Sequence, residues 1–482
     1  MERRTLDPEP VATLEAYRKL GGGRGREAAA RLGPAGVVDD MEASGLRGRG
    51  GAGFPTGRKW RTVVENLSPA ARPTVVVNAA EGEPGSFKDR LILRRNPYKV
   101  LEGALVAAAT VGADRVVVAM KATFTKELDR MRAALGEAQA AGWTEGLSLS
   151  VVEGPSEYLY GEETALLEVL DGRHPFPRIS PPFRRGLGDD GAGGDGTRTA
   201  SDVELAGPDA TTTAAPTLVN NVETMANVAA ILAEGPDWFR TLGTADSPGT
   251  VVCTVSGRTQ RHGVGEFAMG TPLGEVLDAI GKGPSPGTRV VAVMSGVANP
   301  LVPGSALGTP VSYEGMEAIG TGLGAAGFIV FDDTTDMAAL AHGVARFLAI
   351  ESCGQCTPCK QDGLAIAKRF DLLRRSEASE HELAEVEDHL RTVADEARCF
   401  LAHQHQRVVQ SVLALFPEQV RAHAAGRAPA AEVDLVAPIL DIEADRAVLD
   451  ERHLEKQPDW TYGQPYSGQS PADRVDAGHE GI

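Results

Sequence analysis

The chain has 482 residues, 66 acidic and 48 basic, giving a net charge of −18. That acidity argues against a general nucleic-acid binder, which needs a basic footprint, and against electrostatic docking to anionic lipid. At roughly 150 residues per domain the length suggests about three domains and is ample for a large core.

Composition narrows the class further. Hydrophobic residues make up 42% and charged residues 24%, a globular balance. The 56 glycines and 30 prolines imply many turns and close backbone approaches. The first residues lack the apolar centre of a signal peptide. The most apolar stretch, Val100 to Met120, is interrupted by Glu102, Asp114 and Arg115, so no segment of about 18 apolar residues is expected to span a membrane.

In chain order, residues 9–43 read as two short helical pieces around Gly21, Gly22 and Gly23. Residues 44–61 read as a Gly- and Arg-rich loop. Thr74–Val77, Val116–Met120 and Leu147–Val152 are short apolar, β-branched runs. Helical spacing separates them at 91–111 and 126–140, and another helix opens at Glu162. Alternating strands and helices predict a parallel sheet with covering helices. Residues 186–215 carry six acids against one Arg and read as a mobile acidic loop, followed by a helix over 217–234. β texture begins near 249, at Val251–Gly257 and Arg289–Val293. A helical pattern runs from Thr335 to about 425, and residues 431–482, with 12 acids and 4 bases, read as an extended tail.

Three stretches carry candidate chemistry. The first is the cysteine group, which comprises four of the five cysteines: Cys353, Cys356 and Cys359 form C-x2-C-x2-C, and Cys399 lies further on. Three closely spaced thiolates can each bind one iron of a [4Fe-4S] cubane, with a remote fourth closing the site. Zinc, which more usually takes two separated ligand pairs, and plain thiols are the alternatives. Cys253, in an apolar β run, reads as a buried small hydrophobe. His403 and His405, just after Cys399, read as a polar helix face.

The second is the glycine-rich run containing Gly48, Gly50, Gly51 and Gly53, with Phe54, Arg49, Arg58, Lys59 and Trp60. Glycines let backbone N–H groups approach an anion, and the cations and aromatic ring suit a planar, charged cofactor. It is neither a Walker loop nor G-x-G-x-x-G after a strand. The third is the N-A-A-E-G-E-P-G segment from Asn78 to Gly85. It follows a strand, at the carboxyl end where α/β sheets bind ligands. Further on, Tyr158 to Leu166 follows the third strand and opens a helix.

These stretches, with Val219–Thr224 and E-S-C-G-Q-C-T-P-C, occur in one order over about residues 10–425. Together they resemble the NADH-binding, FMN- and [4Fe-4S]-carrying subunit of respiratory complex I and the related diaphorase subunits of NAD-linked hydrogenases and formate dehydrogenases. The resemblance implies an α/β fold. It would comprise N-terminal helices and the cofactor loop (1–65), a Rossmann-like FMN domain (66–244), a small ubiquitin-like SLBB domain (245–330), a helical iron–sulfur domain (331–430) and the acidic tail (431–482). It implies FMN held by Gly48, Gly50, Gly51, Lys59, Asn78, Tyr158, Gly161, Glu162, Asn220 and Asn221. The nicotinamide of NADH or NADPH would lie near Phe54, Glu83, Glu163 and Phe183, with the two glutamates as catalytic candidates. The metal ligands would be Cys353, Cys356, Cys359 and Cys399.

The implied partners are a thioredoxin-like [2Fe-2S] subunit or a ferredoxin within a larger electron-transfer complex. The implied location is cytoplasmic, with partner subunits holding the chain at the inner face of the membrane. The sequence departs from the family at Ala80, usually Asp; at Ser180, usually Lys; at Thr62, often aromatic; and at Ala402, usually Gly. These departures motivate a second expectation, an FMN/[4Fe-4S] module that exchanges electrons with a ferredoxin-like protein without a nicotinamide.

Overall fold

The computed structural model describes residues 4–67, 72–187 and 215–479. The acidic loop expected at 186–215 falls almost wholly outside them. The described chain divides into two compact units: Met1–Glu81 with Asp89–Thr250, and Gly82–Lys88 with Val251–Ile482.

The first unit opens with helices α1 (Leu14–Lys19), α2 (Arg24–Ser44) and α3 (Thr56–Glu65). The sheet and its helices follow as β1 (Thr74–Ala79), α4 (Lys88–Arg95), α5 (Pro97–Val111), β2 (Arg115–Lys121), α6 (Thr125–Ala140), β3 (Ser148–Gly154), α7 (Glu163–Leu170), β4 (Thr217–Asn221), α8 (Val222–Glu234) and α9 (Pro236–Phe239). The sheet is four-stranded and parallel, in the order β3-β2-β1-β4. Val76 and Val117 pack with Leu166 and Leu167 of α7 on one face. Helices α5 and α8 pack on β1 from the other. Burial on both faces explains the unbroken valine runs, where a half-exposed strand would alternate.

Two expectations change here. The glycine-rich loop is shorter than 44–61, because α3 begins at Thr56. Residues 217–234 are not one helix: the first five form β4, and Asn221 then caps α8 by accepting the Glu223 N–H at 2.9 Å. A buried strand this short has no period to betray it.

The second unit begins with β5 (Thr250–Gly257), β6 (Gly263–Ala268), α10 (Leu273–Gly281), β7 (Val290–Ser295), β8 (Val302–Pro303), α11 (Tyr313–Glu317) and β9 (Gly327–Asp332). The mixed sheet runs β6-β5-β9-β7-β8, with β5 parallel to β9 and β7 antiparallel to it. Leu273, Val276, Leu277 and Ile280 of α10 close one core on that sheet, and Cys253 lies in it, fully buried. This is the ubiquitin-like arrangement expected. The segment 82–88 is seated on β5 and β9: Phe87 N–H donates to Thr254 Oγ1 at 3.0 Å, and Gly85 (φ +85°) lies so close that a Cβ would meet Ile329 at 2.7 Å.

Helices α12 (Met337–Glu351), α13 (Thr357–Arg374), α14 (Glu380–Thr392), α15 (Leu401–Leu415) and α16 (Pro417–Ala424) form the helical part. The chain then departs from the extended tail expected. It forms a hairpin, β10 (Ile439–Glu443) with β11 (Arg446–Leu449), a short 3-10 turn at Glu451–Leu454 and α17 (Pro471–His479). Beside Val436, Ala437 and Ile439, its buried groups include the polar Asp450, His453, Lys456, Asp459 and Ser470. Polar anchors of this kind leave no hydrophobic period in a sequence. Among the described residues no helix is long and apolar enough to cross a membrane.

The α5–α8 contact depends on one small residue. A Cβ at Gly103 would meet the Met225 carbonyl oxygen at 2.1 Å, and neither backbone can yield cheaply. Gly103→Ala is therefore expected to destabilise the first unit by about 1–3 kcal/mol, the usual cost of overpacking. Calorimetry of the full chain checks this, and an unchanged transition would contradict the contact.

Candidate functional site

In the first unit the strand order reverses at β1, between β2 and β4. α/β sheets bind ligands in the crevice outside the carboxyl ends of the strands at such a switch point. Asn78 of β1 stands in register with Asn221 of β4, and Val77 with Asn220. The sequence-predicted residues gather around that pair. Asn78 Nδ2 donates to the Gly161 carbonyl at 2.8 Å, tying the turn after β3 to β1. Trp60 Nε1 donates to Asn220 Oδ1 at 2.9 Å, tying α3 to β4. The glycine loop comes down beside Asn221, where a Cβ at Gly50 would stand 3.2 Å from the Asn221 Cβ.

The loop has an internal frame. Gly48 N–H donates to the Phe54 carbonyl at 2.8 Å, and Arg47 Nε to the Gly53 carbonyl at 2.7 Å. Gly51 (φ +129°) and Gly53 (φ +64°) occupy backbone regions that disfavour side chains. The result is a short, glycine-walled turn suited to backbone recognition of an anion.

The cations divide into two kinds. Arg49, expected to add positive charge to a cofactor, is instead 2% exposed. Its guanidinium donates to the carbonyls of Arg47, Pro248 and Thr250, with Glu223 3.9 Å away, so it locks the loop. Lys59 is partly exposed and pairs with Glu163 at 2.6 Å, bringing together a predicted cofactor ligand and a predicted catalytic group. Glu162 is occupied as the N-cap of α7, accepting the Thr164 and Ala165 N–H groups at 3.0 and 2.8 Å. Burial raises its carboxyl above the ordinary range against those donors.

Phe54 is 48% exposed, with the Arg58 guanidinium 5.9 Å from its ring centre. Phe183 is half-buried beside Arg184. Tyr158 opens a 3-10 turn through Gly161. Next to it, Tyr160 is buried, and its hydroxyl has no hydrogen-bond partner among the described residues. Burial raises that phenol's pKa. Nothing in the sequence singles out Tyr160 within its segment. This buried, unpaired hydroxyl lies against Gly154 at the end of β3 and fits a site completed by a polar ligand. Glu83 belongs to the second unit, where it accepts the Val297 N–H at 2.6 Å.

The grouped cysteines lie in the second unit, with Cys353 in the turn between α12 and α13, Cys356 at the N-cap of α13 and Cys359 in its first turn. Cys353 and Cys359 are buried, while Cys356 and Cys399 are partly exposed. Arg398 N–H donates to Cys356 Sγ at 3.4 Å, which sets the neighbouring Cys399 beside the turn. Burial pushes the Cys353 thiol up to about 11 and also raises Cys359, and the neighbouring sulfurs add to both. Ligation to a cation is what turns such sulfurs into thiolates. Among the described residues no three His, Cys, Asp or Glu side chains converge on one ion position. The C-x2-C-x2-C spacing suits a cubane, since each iron takes a separate thiolate.

His405 corrects the expectation of a polar helix face. It is fully buried against Gly363 of α13, with neither ring nitrogen hydrogen-bonded among the described residues.

The chain matches two family models: the Nuo51 FMN-binding domain over residues 41–230 and the NADH-ubiquinone oxidoreductase-F iron-sulfur binding region over 339–423. It is 36% identical over 396 residues to the F 2 subunit of NADH-quinone oxidoreductase from Rhizobium meliloti (strain 1021), covering 80% of this chain and 87% of that one. It is 34% identical over 435 residues to the F subunit of the same enzyme from Streptomyces coelicolor, covering 87% and 90%. The fold is similar to an NAD+-reducing [NiFe]-hydrogenase crystallised in the H2-reduced state (TM-score 0.73, 32% identity). That match covers 87% of this chain but only 65% of the hydrogenase chain. The chain belongs to the family of NADH-quinone oxidoreductase F subunits.

Two outcomes follow. Cys399→Ser is expected to abolish or convert the [4Fe-4S] signal while sparing flavin. A full cubane spectrum in that variant would place the fourth ligand elsewhere. Burial lowers the His405 pKa from 6.5 to about 4, so the unfolded chain takes up this proton first. The contribution is intact above pH 6.5 and is lost as pH falls, reaching about 2 kcal/mol of lost stability by pH 5. His405→Leu should flatten the dependence of the unfolding midpoint between pH 7 and 5, whereas parallel profiles would remove His405 as the cause.

Proposed function

We propose that the chain is the NADH-oxidising, electron-distributing subunit of a multi-subunit complex. It would take electrons from NADH and pass them singly, through a [4Fe-4S] cluster, to a partner iron–sulfur protein. The carrying observation is the convergence of the glycine loop, Asn78, Gly161, Asn220 and Asn221 on the switch point of a parallel sheet. When bound there, FMN supplies a two-electron acceptor for hydride that can also release electrons one at a time, and the cluster supplies one-electron storage.

The residues divide this work. Backbone groups at Gly48, Gly50 and Gly51 approach the cofactor closely because no side chain intervenes. Asn78, Asn220 and Asn221 present amides held by Gly161, Trp60 and the start of α8, so their orientation is set before a ligand arrives. Lys59 and Glu163 form a pair that can open, with the ammonium turning to an anionic ligand and the carboxylate freed beside it. Phe54, already exposed, and Phe183 offer faces for a planar ring. Glu162 holds the start of α7, and Tyr158 and Tyr160 wall the turn after β3. Cys353, Cys356, Cys359 and Cys399 hold the cluster.

The resemblance supports a thioredoxin-like [2Fe-2S] subunit or a ferredoxin as partner, and attachment to the inner face of a membrane through partner subunits.

Anaerobic addition of NADH to the FMN- and iron-loaded chain should bleach the flavin absorbance, and Lys59→Met should weaken FMN binding. NADPH is run in parallel. Retention of flavin colour with both nucleotides would sink the dehydrogenase reading and favour the ferredoxin-linked module suggested by Thr62, Ala80 and Ser180.

A further inference from the structure

The segment after β11 makes a series of specific contacts with one place, the turn of Cys353 and Cys356 that leads into α13 and Cys359. This segment lies beyond residue 423, where the match to the iron–sulfur family model ends.

The contacts begin at the end of α12, whose last carbonyls lack partners within the helix. Lys360, next to Cys359, is 1% exposed. Its ammonium donates to the carbonyls of Ala349 at 2.8 Å, Ser352 at 2.9 Å and Pro458 at 2.5 Å. A lysine has three N–H donors, so one side chain pins the end of α12, the residue before Cys353 and the C-terminal segment together. Trp460 Nε1 donates to the Ile350 carbonyl at 2.9 Å. Lys456 pairs with Glu351 at 2.6 Å, with side chains 1% and 0% exposed. Such a buried pair is costly to break, because either partner alone would be left as a desolvated charge.

The segment then turns back and covers the cysteine turn itself. Asp459 Oδ1 accepts the Thr461 N–H and hydroxyl, and its Oδ2 accepts the Ser467 N–H at 3.1 Å. Although partly desolvated, this carboxyl is held below the ordinary range by those donors. The fold-back delivers Ser470 and α17. Ala472 N–H donates to the Cys353 carbonyl at 3.0 Å. Gly354 (φ +85°) lies so close to Ser470 that a Cβ there would stand 2.2 Å from the serine's own Cβ.

We propose that residues 450–474 are a built-in cap on the iron–sulfur loop, with Lys360, Lys456 and Trp460 as positioning residues. The cap fixes the geometry of the cysteine turn and keeps dissolved oxidants from it. The inference rests on the four-cysteine cluster reading, and it makes cluster lifetime, not flavin binding, depend on the C-terminal segment.

The test uses the full-length, cofactor-loaded chain and a truncation ending at Tyr466, which removes Ser470 and α17 but keeps Lys456 and Trp460. Iron and acid-labile sulfide content, the EPR signal of the reduced cluster and the rate of its bleaching in air are compared, with flavin content as internal control. Solvent exposure is one of the levers on an iron–sulfur centre, so bleaching is expected to be about ten-fold faster. The EPR line shape should change while flavin content stays constant. Equal bleaching rates and superimposable EPR spectra would overturn the cap.

Should the truncation fail to fold, a protease sequence replaces the exposed residues 463–468. The chain is cut after cluster assembly, and the released peptide is removed on a sizing column. Faster bleaching of the cut chain supports the cap, and an unchanged rate refutes it. A full-length chain that binds flavin but never takes up iron would instead sink the cluster reading, and this is established before any truncation is scored.

Discussion

The register between β1 and β4 is the constraint on which the first unit depends. It sets Asn78 opposite Asn221 and Val77 opposite Asn220 at the carboxyl ends of two parallel strands. A slip of one residue would send the asparagines into the hydrophobic layers that Val76 and Val219 now fill. Each neighbouring element is fastened to those amides: α3 through Trp60, the turn after β3 through Gly161, and α8 through its cap at Asn221. The glycine loop is then held from behind by Arg49, whose charge is spent on carbonyl oxygens at Pro248 and Thr250. Buried guanidinium in this role is structural, and the accessible cations Arg58 and Lys59 stand in the first turn of α3.

The second unit solves a different problem. Thiols that are to hold a cluster must be close, yet closely spaced, desolvated thiols resist ionisation, as the raised values of Cys353 and Cys359 show. The protein holds the turn rigid by means that do not involve the sulfurs. Lys360 fixes its backbone from below, Glu351 with Lys456 fixes its entry, and Ser470 fills the space over Gly354. Contacts that do not involve the sulfurs therefore fix the backbone of this turn, and a preordered turn lowers the ordering cost of binding a ligand.

What can be read from the sequence follows from which interactions leave a pattern. The valine runs of β1 and β2 and the cysteine spacing are local and repetitive, so strand, sheet type and cluster chemistry are legible. The candidate residues Asn78, Gly161, Asn220 and Asn221 are legible only as motifs, and their convergence depends on β4, a five-residue strand whose sequence reads as helix. Arg49 and Glu83 show the opposite limit. Each stands in a glycine-rich stretch beside other candidate ligands, yet one is committed to backbone carbonyls nearly 200 residues away in sequence and the other to the Val297 N–H. Nothing in a linear string distinguishes a cation that meets a ligand from one that meets its own chain. His405 is illegible for a related reason: a histidine on an amphipathic helix is usually taken to face water, and only the close packing of Gly363 shows that it does not.

The net charge of −18 is sharpened by the same reasoning. Residues 431–482 hold 12 acids against 4 bases, which by count alone reads as a solvated tail. Charge counts, however, are blind to pairing. Among those four bases, Lys456 is buried on Glu351 and Arg474 reaches the Asp459 carbonyl, while Asp459 itself is sequestered by Thr461 and Ser467. An acidic segment can thus be ordered by a few of its polar groups while Glu443, Asp445, Glu451 and Glu455 stay exposed. Over the iron–sulfur turn, residues 450–474 present an inner side satisfied by hydrogen bonds and an outer side on which Glu451, Glu455 and Asp473 stand beside Arg452 and Arg474.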